Sequence, residues 1–188
     1  MGSFLLRVSC GLLAGSLWAQ SGVALHNLEI GAAGMFPVSG YKTDAYSAGP
    51  AWRPGYELRF LRPLGAEVGF TEAWLPGSNC EYYGCTHPTE IFKLLDYGLR
   101  GHILLHADRI DLSAGVGGGY IWYQYGDSYT NGSLFQYSGK AAVALDRHGR
   151  WRIAFTLRTW RDLGRPTQQW LSTTASVIFG FGRPFGAP

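Results

Sequence analysis

Charge is scarce in this sequence. Asp, Glu, Lys and Arg make up 15% of the 188 residues, against about 25% in an average soluble domain. The net charge is only +3 and no basic run stands out, so a nucleic-acid partner is not expected. Long apolar runs are missing as well. After the N-terminus no stretch approaches the roughly 20 residues of a membrane-spanning helix, and mean hydropathy is only -0.04. Cysteine is rare, at three residues. What abounds is glycine, at 27 residues, and aromatics, at 15%. Many glycines and aromatics with few charges suit alternating β-strands better than a soluble helical core.

Residues 1–24 read as a signal peptide. Arg7 supplies the positive charge, residues 8–18 form a short apolar run, and small residues follow. Gly22-Val23-Ala24 fits a peptidase site, with Ala19 the other candidate. Arg7 stands where a lipobox carries an apolar residue, so Cys10 is not read as a lipid anchor. The mature domain, residues 25–188, therefore leaves the cytoplasm. It holds Cys80 and Cys85 in the segment CEYYGC, and a pair this close in an exported loop is expected to close a small disulfide. A metal site there would add His87 but lacks a fourth ligand, and no metal or other cofactor is expected.

Residues 111–123, DLSAGVGGGYIWY, show the pattern that governs the chain. Leu112, Ala114, Val116, Tyr120 and Trp122 share one face, and Asp111, Ser113, Gly115, Gly117 and Gly119 share the other. That is a period of two, the signature of a strand. The same alternation recurs around Leu28–Phe36, Tyr56–Phe60, Ala66–Phe70, Leu95–Ile103, Phe135–Val143, Trp151–Leu157 and Leu171–Phe181. About eight strands result. The connections alternate between short turns, at 62–65, 106–109 and 146–150, and longer polar loops, at 39–51, 76–88, 124–133 and 162–167.

Charges of both signs recur on the face opposite the apolar residues. Glu29, Glu57, Glu67, Asp96 and Asp111 lie there with Arg59, Arg100, His102, Lys140, Arg152 and Arg158. A soluble barrel would expose these charges and fill its core with the apolar face. A membrane barrel would turn them inward to pair with one another. Eight strands' worth of Leu, Phe, Tyr and Trp would overfill an interior just wide enough for side chains, whereas Gly and Ala opposite suit a crowded lumen. Aromatics also mark both strand ends: Phe36, Trp74, Trp122 and Phe135 near the long loops, Phe60, Trp151, Phe179 and Phe181 near the turns. These positions match two interfacial girdles. The expected fold is an all-β, antiparallel up-and-down transmembrane barrel of about eight strands, with closed hydrogen bonding as its way to span.

In this layout the mature chain resembles the small eight-stranded outer-membrane β-barrel proteins, the group of the OmpA transmembrane domain, OmpX and OmpW. The last strand, Thr174-Ala175-Ser176-Val177-Ile178-Phe179-Gly180-Phe181, is similar to their C-terminal assembly signal, with Thr174, Phe179 and Phe181 at the matching positions. It departs from that signal in Ser176, where glycine is usual, and in the residues that follow the final aromatic. The resemblance implies a bacterial outer-membrane location, outer-membrane lipid around the barrel and the barrel-assembly machinery as a partner.

Enzymatic activity is not expected. The small barrels that modify lipid A suggest looking for a His-x-Ser stretch. None of His26, His87, His102, His106 and His148 has serine two positions later, and no nucleophile with named partners emerges. A monomer with a salt-bridged interior and a structural or surface-interaction role is the leading reading. The aromatics Tyr41, Tyr46, Trp52, Tyr82 and Tyr83 in the loops contact an extracellular ligand, anchor the barrel at the membrane interface or pack over the barrel mouth. Two alternatives stand beside it: a narrow pore for small solutes, and a soluble lipocalin-like barrel that binds an apolar ligand.

Overall fold

The computed structural model describes residues 24–40, 46–77, 89–125, 128–164 and 168–182, with backbone alone at 123–125 and 128–130. Residues 1–23, all but the last residue of the expected signal peptide 1–24, lie outside the described residues, as do Cys80 and Cys85, which are expected to pair. Eight strands form the structure: β1 His26–Ser39, β2 Gly49–Leu61, β3 Leu64–Leu75, β4 Glu90–Leu105, β5 Ile110–Tyr125, β6 Ser128–Ala144, β7 Trp151–Asp162 and β8 Gln169–Phe181. Each pairs antiparallel with its sequence neighbours, and β1 pairs with β8 to close the barrel. Closure leaves no strand edge, so every ladder is paired within the barrel.

The strands are longer than the apolar alternation alone indicates. The expected loop at 124–133 is a correction: β5 runs to Tyr125 and β6 starts at Ser128, with Tyr125 opposite Ser128. Backbone pairing continues here past the apolar band, where side chains no longer need to meet lipid. Likewise Gly49–Trp52 belong to β2 rather than to the first loop. Pro54 hid this, because it lacks an N–H and the β2–β3 ladder skips Arg53 and Pro54.

Large apolar side chains cover the outside on every strand, among them Ile30, Phe60, Val68, Leu99, Val116, Tyr137, Phe155 and Val177, all exposed. Their odd or even partners point inward and are buried or half-buried. The soluble alternative needs the opposite arrangement. The girdle aromatics stand where the alternation puts them: Phe36, Trp122 and Phe135 are exposed near the loop end, and Phe60, Trp151, Phe179 and Phe181 near the turn end. Trp151 and Phe179 pack with ring centroids 4.7 Å apart.

The turns carry specific chemistry. In the β4–β5 turn, His106, Ala107 and Asp108 have φ of 52°, 53° and 68°, a left-handed run that L-residues adopt at a cost. An ion pair between Arg62 Nη2 and Asp108 Oδ1, at 2.6 Å, ties it to the β2–β3 turn. In the β6–β7 turn the Trp151 N–H donates to Asp146 Oδ1 at 2.9 Å. That bond holds the Asp146 carboxyl below its ordinary value.

The glycine face of β5 serves two purposes. A Cβ on Gly115 would come within 2.9 Å of Ser138 Oγ and 3.1 Å of the Arg100 guanidinium, so this glycine leaves room for the arginine. A Cβ on Gly117 would lie 2.0 Å from the Tyr97 carbonyl oxygen, so this one permits close approach of β4 and β5. Gly117→Val is expected to lower barrel stability by about 1–3 kcal/mol, as overpacking does. Urea unfolding in lipid vesicles, followed by tryptophan fluorescence, measures it. A variant as stable as the parent would refute the close-approach role.

Candidate functional site

The alternation sends charged side chains into the lumen, and the register brings distant strands to the same points. At the turn end, Arg59 of β2 reaches Glu57 Oε1 at 2.8 Å and also pairs with Asp111. His102 of β4 sits between two carboxylates, with Nδ1 2.9 Å from Asp111 and Nε2 3.1 Å from Glu57. Arg152 of β7 approaches Asp111 at 3.4 Å.

Higher in the lumen, Arg100 donates two bonds to Glu67, at 2.8 and 3.0 Å, and further bonds to Ser138 and Ser113 at 2.8 and 3.2 Å. Arg158 reaches the same Glu67 at 3.2 Å. Lys140 Nζ lies 2.5 Å from Glu29 Oε2, and the Ser176 hydroxyl donates to Glu29 Oε1 at 2.7 Å. Serine in place of glycine in the last strand thus has a structural use.

All eleven expected interior residues join this network: Glu29, Glu57, Arg59, Glu67, Asp96, Arg100, His102, Asp111, Lys140, Arg152 and Arg158. A charged member outside that set is Arg53. Arg53 of β2 is buried and pairs with Asp96 at 2.5 Å, where Gln136 adds a weaker contact at 3.5 Å. A Cβ on Gly69 would fall 2.1 Å from the Arg53 guanidinium, so Gly69 provides its space. Arg53-Gly55-Glu57-Arg59 carries the right alternation, but Pro54 broke the strand pattern.

Above this layer the lumen changes character, which the sequence reading did not anticipate. Met35, Leu75, Phe92, Leu94, Ile121, Leu134, Trp160 and Trp170 point inward and form one buried apolar cluster. Trp160 and Trp170, paired across β7 and β8, are 0% and 1% exposed. Tyr46 packs edge-on against Phe92 at 6.0 Å and is buried, so this loop aromatic covers the barrel mouth. The signal was present as apolar pairs, Ile91-Phe92, Leu94-Leu95 and Leu134-Phe135. Such pairs are apolar on both faces and blur a period of two.

The lumen is therefore filled twice, by ion pairs below and by an aromatic plug above. The cavity within the ion-pair layer is about 10 Å³, about one water's worth of space. Five carboxylates there face six Arg and Lys side chains, with His102 between two of the acids. Buried pairs of this kind persist because each charge has a partner and leaving one alone is costly. Thr174 faces the lumen and is fully buried, whereas Phe179 and Phe181 face outward at the turn end. Phe181 stacks on His26 of β1 at 5.1 Å, across the closing seam.

An apolar belt outside, paired charges inside, short turns at one end and closed antiparallel pairing define a transmembrane β-barrel. Its architecture is that of the small bacterial outer-membrane barrels. The sequence matches no protein-family model and no curated protein. Among solved structures the chain is similar to neisserial surface protein A, with a TM-score of 0.61 and 14% identity over 85% of this chain and 99% of that one. It is also similar to Ail, the attachment invasion locus protein of Yersinia pestis, at TM-score 0.58, 11% identity and coverage of 85% and 99%. The outer-membrane protein OprG from Pseudomonas aeruginosa matches at TM-score 0.56, 9% identity and coverage of 90% and 100%. At these identities the likeness is one of fold.

Proposed function

We propose that this protein is a sealed, monomeric, non-enzymatic barrel of the bacterial outer membrane that acts through its surface loops or as a structural element. The observation that carries this reading is the doubly filled lumen. A pore needs a continuous aqueous path, and the Glu67–Arg100 layer and the Trp160–Trp170 plug each interrupt one. A lipocalin-like role needs an apolar cavity inside, and the interior holds charges or tightly packed aromatics instead. What then remains available to other molecules is the outer surface and the loops. Two of the structural relatives carry names that refer to the cell surface or to attachment, which agrees with a surface role.

The residues Thr174, Phe179 and Phe181 are proposed to be read by the barrel-assembly machinery before the seam closes. Cys80 and Cys85 are proposed to brace the loop between β3 and β4. Planar lipid bilayers test the sealed lumen. The purified barrel is expected to give no steady conductance steps above the lipid baseline. Regular steps that persist at fixed voltage would replace this reading with the narrow pore.

A further inference from the structure

The outward face of β4 to β7 is hollow in its turn half. A groove of about 730 Å³ lies there, within the ~300–1,000 Å³ common for small-molecule sites. Its floor is a row of small residues, with Gly101 opposite Ala114 and Ala114 opposite Gly139. Exposed Ile103, Phe155 and Leu157 form its walls. Strand packing does not demand these glycines. A Cβ on Gly139 would meet no atom within 4 Å, and one on Gly101 would reach only the Pro63 carbonyl oxygen, at 4.0 Å. Gly117, in contact with backbone, is the opposite case.

Two turns lie beyond the groove, past Ile103, Leu112, Ala141 and Phe155 of its lining, on the side away from the loops. The Ala144 N–H donates to the Arg109 carbonyl at 2.8 Å, which joins the β4–β5 turn to the end of β6. Arg109, Arg147 and Arg150 of these turns are exposed. The two turn carboxylates are already engaged, Asp108 with Arg62 and Asp146 with the Trp151 N–H. Ile103 and Leu112 lie three residues from the turn, about 10 Å along a strand. One amphiphile can therefore span the cations and the groove.

We propose that the groove seats an acyl chain of an anionic phospholipid of the periplasmic leaflet, with its phosphate held by Arg109, Arg147 and Arg150. The groove faces the hydrocarbon of the bilayer. Short turns mark the periplasmic side, and arginines at that level attract anionic headgroups. Complementarity of both ends of the lipid distinguishes this site from the rest of the belt.

Native mass spectrometry of the full barrel in detergent, titrated with phosphatidylglycerol or with phosphatidylcholine of the same chains, tests it. The parent protein is expected to retain one phosphatidylglycerol, on the order of tenfold or more in preference to phosphatidylcholine. Arg147→Ala with Arg150→Ala should remove most of that preference. Gly139→Leu, which fills the groove in open space, should reduce retention of both lipids and leave heat-modifiable gel mobility unchanged. Equal retention of the two lipids by the parent would overturn the proposal, as would a Gly139→Leu variant that binds like the parent. A parent dimer lost in Gly139→Leu would overturn it too, by assigning the groove to a second copy of the chain.

Discussion

Glu67→Leu is expected to destabilise the barrel by about 3–5 kcal/mol, the cost of leaving a buried charge without its partner. Glu67 accepts two bonds from Arg100 and one from Arg158, so its loss strands two guanidinium groups at once. Both arginines are almost wholly buried inside the closed barrel, so neither can swing out to water. Urea unfolding in lipid vesicles measures the loss. The double variant Glu67→Leu/Arg100→Leu should recover part of it, because an apolar pair of similar volume removes both desolvated charges. A loss under about 1 kcal/mol, the range of an exposed pair, would mean the network is hydrated and the lumen open.

The second large effect concerns the outer face. Val116→Arg should cost about 2–4 kcal/mol, the range for a cation at the bilayer midplane. Val116 lies midway along β5 and is half exposed, with Leu99 and Tyr137 beside it on the neighbouring strands. Leu145→Arg, beyond the end of β6, should cost only about 0–1 kcal/mol, because charge near the interface finds water and headgroups. The comparison removes the general effect of introducing arginine. Equal costs at the two positions would mean that no lipid covers Val116, and the membrane assignment would fall.

These two experiments probe the parts of the molecule that differed most in legibility. The outer face could be read residue by residue. In a strand, successive side chains point to opposite faces, so Val116 outward and Gly115 inward follow from parity alone. The interior charges were legible for the same reason. Arg53 escaped because Pro54 broke the pattern beside it. The plug escaped because Phe92 and Leu94 follow Ile91 and precede Leu95, and an apolar run on both faces carries no phase. The fifth connection was misread because Thr130, Asn131 and Ser133 look like loop residues. They lie on a part of the hairpin where pairing continues without apolar side chains.

Parity, composition and turn chemistry in the sequence by themselves determined a closed barrel with apolar residues out and charges in, because each of these is a local property of the chain. Which charges meet was decided by the tertiary structure. Lys140 and Glu29 stand 111 positions apart, and Ser176 and Glu29 stand 147 apart. Their contacts depend on the register of every intervening ladder and on where β8 closes onto β1. A shift of one residue at any of those ladders would turn a strand's charges to lipid. The same closure stacks Trp160, Trp170 and Phe92 above the ion pairs and so seals the lumen. It also sets Gly101, Ala114 and Gly139 side by side from three strands, which makes a groove that no single strand contains.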